Sequence, residues 1–270
     1  MVLIFSIGGY DMENSKILKE LNEKWYSDLR THKYHMAHLE LFKRYAFEIN
    51  LRLGHPFREE DLATIAYAHD LFKDDNPKVK YTNHGEDILV TKENIQKKYG
   101  NSIEYFGFKK KEKSVLSEHA KCAALFIMNC EELSDYNKDI LYPIIFHSLP
   151  ILRVYQDLTQ EIQLMIDITV VADKCSSNYL KIQQYVPCYF RMEDILFGTD
   201  GKEFNFSAAL FAARLIGSEK YSDEVNKDIN TFYLNRLNRT NPFIMDKIHI
   251  KEYGRKKIWE RKPSILLRKE

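Results

Sequence analysis

The feature that most constrains this chain is a three-and-four spacing of apolar residues that recurs through its first two thirds, interrupted on the same faces by histidine and aspartate. Between about Lys33 and Leu53 the stripe runs through Leu39, Phe42, Ala46, Ile49 and Leu53, and Gly54-His55-Pro56 then stops it. Leu62, Ile65, Ala66 and His69 form the stripe of a helix expected over 58–73. Val115, His119, Cys122, Phe126 and Ile127 mark one from Ser114, and a shorter one spans 136–147. Ile162, Met165, Ile166, Thr169, Val170 and Asp173 mark one over 161–179. Two further helical patterns fall at about 203–217 and 221–237. With 10 Gly and 7 Pro in 270 residues, such helices are easier to write than a many-turned β-sandwich or barrel. The expected fold is all-α, a helical bundle over 1–180 followed by a helical extension over 181–270 with a basic end.

One segment breaks the rhythm. Residues 74–113 hold DDNPK, NHGED, a short helical pattern near Glu93 to Tyr99, and the run KKKEK. A connection of that length inside a compact helical domain is usually functional or disordered, and its Tyr81, His84, Tyr99, Tyr105 and Phe106 suggest a lid or insertion.

Other function classes are constrained by charge and composition. A formal net charge of +1 carries no global argument for nucleic acid, although Lys and Arg outnumber Glu nine to three from Lys247 to Glu270. That end reads as a solvated tail or final helix, and nucleic acid is not excluded as a partner. MVLIFSIGGY lacks a basic leader and a small-residue cleavage site and is too short to span a membrane; it reads as a buried strand or the start of the core, with Gly8-Gly9 a turn. Cys122, Cys130, Cys175 and Cys188 form no C-x-x-C pair and read as reduced core thiols, so a cytoplasmic protein without membrane attachment is expected.

His69, His119 and Asp173 each fall on an otherwise apolar face, where an unpaired polar group is costly. One such histidine is satisfied by a backbone carbonyl. Several on successive helices, with carboxylates, are how a bundle core builds a site for divalent transition metals. The adjacent pair His69-Asp70 lies about 100° apart around a helix, so both reach one ion only if it sits in a groove between helices.

The order His38, His69-Asp70, His119, His147, Asp173 resembles the H…HD…H…H…D pattern of the HD superfamily of phosphohydrolases. The resemblance covers about residues 33–180. The run from His38 to Gly54 is similar to that family's first helix, AYAHDLFKD at 66–74 to its A-x-L-H-D-x-x-K-D, and VVADK around Asp173 to its L-A-D-K. The two intermediate histidines resemble the two-metal branch, in particular the small bacterial symmetrical diadenosine tetraphosphate hydrolases. That resemblance implies two divalent ions, iron or manganese. His38, His69, Asp70 and Asp173 would hold one, and His119, His147 and a bridging Asp70 the other. The chain departs from that group at EHAK (118–121) and HSLPILR (147–153), which leaves the substrate open among nucleotides.

Hydrolysis of a phosphoester or phosphoanhydride of a nucleotide by metal-activated water is the implied activity, with Asp70, Lys73 and Asp74 as catalytic positions. Lys73, Lys174 and Arg153 are candidates to hold phosphate oxygens, Asp74 to orient a ligand histidine or the water, and His84 to touch substrate. The aromatic residues of 74–113 suggest stacking on a base. Two alternatives stay open: a di-iron oxygenase of the same superfamily, and an inert nucleotide-binding module. The oligomeric state is open, a homo-oligomer included.

Overall fold

Two long helices built on the expected stripes lie against each other at the centre of the molecule: α2, His32–Arg52, and α7, Gln160–Gln184. The computed structural model describes residues 13–108, 113, 116–133, 136–148, 157–184, 192–198 and 201–217. On α2 the turn-by-turn row Leu39, Phe42, Ala46 and Ile49 is fully buried, and on α7 Ile166, Thr169, Val170 and Asp173 are buried. Gly54, at φ +86, ends α2. Left-handed backbone there lets its N–H reach Leu51 O at 3.1 Å and the His55 N–H reach Asn50 O at 2.8 Å, closing carbonyls that the last turn leaves open.

Preceding them is a helix that the spacing analysis passed over. α1, Glu13–Tyr26, buries Leu18, Leu21, Trp25 and Tyr26 against α3, Glu59–Ala68. The starts of these helices are tied together, since Glu60 accepts from both the Ser15 N–H and hydroxyl at 2.8 Å. The acidic first turn of α3, Glu59, Glu60 and Asp61, suits the positive end of the helix dipole. α3 is shorter than the expected 58–73. After Ala68 the chain tightens into three-residue turns, with Leu71 N–H to Ala68 O at 3.0 Å and Lys73 N–H to Asp70 O at 2.9 Å.

The molecule is mostly helical, compatible with the all-α expectation, and the described part of 74–113 adds a two-stranded hairpin that the helical spacing did not predict. Strands β1, Asn76–Asn83, and β2, Glu86–Val90, form an antiparallel hairpin in which Tyr81 faces Ile88 and Asn83 faces Glu86. His84 and Gly85 make its two-residue turn, both at positive φ (51 and 75), the backbone a tight hairpin of this twist demands. α4, Lys92–Tyr99, follows behind an N-cap in which Thr91 Oγ accepts from the Asn94 N–H at 3.2 Å, and a 3-10 run, Gly100–Phe106, continues it. Tyr81, Ile88, Val90, Ile95, Tyr99 and Phe106 are buried in the same core as α1, so the described part of this segment packs into the body of the molecule. Trp25 meets Tyr81 and Phe126 edge to face at 5.6 and 5.3 Å.

α5, Glu118–Asn129, packs on α4 and on α6, Leu141–Phe146, which is entered through a 3-10 turn at Lys138–Ile140. Of the expected extension, α8, Met192–Phe197, and α9, Phe206–Gly217, pack on α7; Met192, Leu196 and Ala209 are fully buried and belong to the same core. The opening decapeptide, Cys188, the helical pattern at 221–237 and the basic end lie outside the described residues. Cys122, Cys130 and Cys175 are buried free thiols. Among the described residues no helix is long and apolar enough to cross a membrane.

Candidate metal centre

Five elements converge on one point. His38 comes from the middle of α2, Asp173 from the middle of α7, His69 from the C-cap of α3, His119 from the first turn of α5 and His147 from the C-cap of α6. Asp70 stands on the tightened turn that leaves α3. His69 and Asp70 do meet, at 3.6 Å, because the meeting point lies in the groove beyond the end of α3 and not on one face of it. His38, His69, Asp70, His147 and Asp173 are buried, and His119 is partly exposed, so the cluster opens to solvent on its His119 side.

The distances divide the six residues into two groups that share Asp70. His38 Nε2 and His69 Nε2 are 3.1 Å apart, with Asp173 Oδ1 3.4 Å from His38 and 3.9 Å from His69. His119 Nε2 and His147 Nε2 are also 3.1 Å apart. Asp70 turns Oδ2 to the first pair, at 3.4 Å from His38 and 3.6 Å from His69, and Oδ1 to the second, at 3.4 Å from His119 and 3.6 Å from His147. In each group, His38-His69-Asp173 and Asp70-His119-His147, the donor atoms lie within 4.8 Å of one another. Metal-to-imidazole bonds of about 2.0–2.1 Å place neighbouring ligand atoms about 3–3.4 Å apart, so this spacing suits a shared ion in each group.

Hydrogen bonding on the outer edge of each ring assigns its tautomer. His69 Nδ1–H donates to Ala66 O at 2.8 Å and His147 Nδ1–H to Ile144 O at 2.7 Å. Ser176 donates its hydroxyl proton to Asp173 O at 2.9 Å, so its oxygen accepts from His38 Nδ1–H at 3.0 Å. His119 Nδ1 is held by Ser117 Oγ at 2.7 Å. In the neutral rings Nε2 of His38, His69 and His147 carries the lone pair and points inward, so two such nitrogens 3.1 Å apart need a proton or a metal ion between them. Such outer partners also fix ring orientation and raise ligand basicity.

Protonation follows the same logic. Burial pushes the His69 imidazolium pKa well below the usual histidine value, and burial likewise lowers His119. Burial also opposes charge on His38, but hydrogen bonds with Asp173 and Asp70 outweigh it and raise its pKa. For Asp70, burial opposes ionisation, yet His69 and hydrogen bonds from His119, His147 and His38 hold the carboxyl well below the ordinary range. Burial opposes ionisation of Asp173 in the same way, and Lys174 and His38 override it. Two carboxylates held ionised beside His69 and His119, whose charge burial disfavours, offer oxygen and nitrogen donors of the kind that suits divalent transition ions.

Two expected residues stand beside the centre. Lys73 Nζ is bound to Asp70 Oδ2 with its side chain half exposed, and Lys174 Nζ lies 2.6 Å from Asp173 Oδ2. Burial opposes the charge of Lys73, but Asp70, Asp173 and Asp74 raise its pKa above the ordinary lysine value.

Three expectations fare differently. Asp74 is exposed, and the outer nitrogens of all four histidines are taken by Ala66, Ile144, Ser117 and Ser176, so it does not orient a ligand; its backbone carbonyl accepts from Tyr26 OH at 3.2 Å. His84 sits exposed on the hairpin turn, 3.2 Å from Asn129 O and 3.2 Å from Glu131. Asn129 is the far end of α5, about 15 Å along the helix from His119, so His84 is not part of this centre. Arg153 lies outside the described residues. Base stacking also loses its support: Tyr81, Tyr99 and Phe106 are core residues, and of the aromatics named for that role Tyr105 alone is exposed.

Ser117 and Ser176 were not read from the sequence. Their signal was present, since each lies two or three residues from a ligand, within reach of the same helix end or face. No protein-family model matches the chain, and no curated protein or solved structure does.

Proposed function

We propose that the protein is a two-metal phosphohydrolase of the HD type, acting on a phosphoester or phosphoanhydride of a nucleotide. The observation that carries the reading is Asp70, buried, with one oxygen toward each of two imidazole pairs at 3.4 to 3.6 Å. His38, His69, Asp70 and Asp173 would hold one ion, and Asp70, His119 and His147 the other, with iron or manganese suited to imidazole and carboxylate donors. When bound, two such ions lower the pKa of a water toward neutrality and neutralise phosphoryl oxygens.

The chain's own residues do the rest. The outer hydrogen bonds of Ala66, Ile144, Ser117 and Ser176 keep each Nε2 aimed inward, so little reorganisation is needed when a ligand arrives. Lys73, half exposed and firmly protonated, stands at the edge of the centre where it can leave Asp70 for a phosphate oxygen, and Lys174 stands correspondingly beside Asp173. Five of the six ligands are buried, so partly exposed His119 and half-exposed Lys73 mark the side from which substrate would approach.

The test is elemental analysis of protein purified without chelator or added metal, alongside a His69→Ala, Asp70→Ala variant, with phosphate release measured over a panel of nucleotides. About two transition-metal equivalents in the wild type, lost in the variant together with phosphate release, is the expected result. Wild-type protein that is metal-free and cannot be reconstituted with iron or manganese would overturn it.

A further inference from the structure

The turn that presents Asp70 has little ladder of its own. From it project four successive carbonyls, those of Leu71, Phe72, Lys73 and Asp74, and side chains from two distant elements take all four. Tyr26, the last residue of α1, shares its hydroxyl between Leu71 O and Asp74 O. Lys92, the first residue of α4, brings Nζ to 3.3 Å from both Phe72 O and Lys73 O and to 3.1 Å from Asp75 Oδ1, while its backbone N–H donates to that same Asp75 oxygen at 2.8 Å. Asn76 closes the segment by donating its side-chain amide to Trp25 O.

This arrangement matters because Asp70 serves two masters. Each of its oxygens must stay 3.4 to 3.6 Å from a different imidazole pair, so a shift that favours one pair spoils the other. Such a constellation tolerates about 0.5 Å of misplacement, less than an unbraced turn after a helix end holds by itself. We propose that Tyr26 and Lys92 are positioning residues for Asp70, gripping the 71–74 carbonyls so that one carboxylate serves both halves of the centre. The inserted hairpin and α4 then act as a buttress behind the metal centre through Lys92. The proposal rests on the metal reading above and adds residues that neither touch an ion nor contact a ligand side chain.

The experiment is Mn(II) titration of the full chain, read by binding affinity and by the electron paramagnetic resonance signal of spin-coupled Mn(II) pairs, in wild type, Tyr26→Phe, Lys92→Met and Lys92→Arg. Tyr67→Phe is the control; it removes the hydrogen bonds that join the Tyr67 hydroxyl to Lys43 and Glu40 of α2 and leaves the 71–74 carbonyls alone. Tyr26→Phe and Lys92→Met are expected to weaken Mn(II) binding about 10- to 100-fold, the range for loss of an outer partner, and to diminish the coupled signal. Lys92→Arg restores much of both, and Tyr67→Phe changes neither although it lowers thermal stability. Because the Lys92 side chain is partly exposed, Lys92→Met decides the question even if Tyr26→Phe does not fold. Wild-type protein with two coupled Mn(II) ions, and variants that match it while only melting earlier, would overturn the positioning roles alone. Wild-type protein that takes up neither Mn(II) nor Fe(II) would overturn the metal reading and this proposal together.

Discussion

The two halves of the centre are built from the same donors and differ in their setting. The half around His38 and His69 lies between the two long central helices and the end of α3, has two carboxylates, Asp70 and Asp173, and is the more deeply buried. The half around His119 and His147 lies between the first turn of α5 and the end of short α6, has Asp70 as its one carboxylate among the described residues, and is partly exposed at His119. Charge and enclosure thus coincide on one side, access on the other. Under the proposed function the enclosed half is the tighter site and the open half the one that exchanges ligands.

Asp70 links the halves, so its removal gives the largest effect. Asp70→Ala is expected to lose both metal equivalents, with affinity down more than about 100-fold, beyond what loss of an outer partner produces; retention of one tight ion would show that the halves are independent. Next come two variants that separate them. His119→Ala is expected to leave one equivalent bound and Asp173→Ala to weaken the tighter one, both read by elemental analysis after dialysis. If His119→Ala empties both halves, the comparison is broken. A smaller effect is expected of Ser176→Ala, which frees the His38 ring: about 10-fold weaker binding at the enclosed half with the open half unchanged.

The smallest effect belongs outside both halves and checks that these losses are local. Glu40 is half exposed and joined to Lys19, Lys43 and Tyr67. Burial opposes its ionisation, but those partners bring its pKa from 4.5 to about 2. A depressed carboxyl contributes stability above its unfolded value and loses it as pH falls, so Glu40→Gln flattens the decline of stability from about pH 4.5 toward about pH 2. At such exposure the change amounts to about 1 kcal/mol or less by thermal or urea unfolding, with metal content unaffected.

How much of this was legible depends on whether the information is local. The stripes of α2 and α7 and the inward positions of His69, His119 and Asp173 follow from helical spacing, and the long apolar rows left no other face for them. α1 was legible too, in Leu18, Leu21 and Trp25, but passed unread. The hairpin was signalled only by the pair His84-Gly85, whose short polar strands resemble a loop until Tyr81, Ile88 and Val90 find the core.

By itself, then, the sequence determined which residues are apolar enough to form a helical core and which histidines and aspartates must be buried within it, because those properties depend on residue type and spacing along one element. Only the tertiary structure decided that Asp70 divides its two oxygens between two imidazole pairs, that Ser176 takes the outer edge of His38, that His84 and Asp74 stand aside, and that Tyr26 and Lys92 close on the turn behind Asp70. Those contacts join residues from different elements, and their distances are set by how helices and hairpin pack, which no spacing along a single chain encodes.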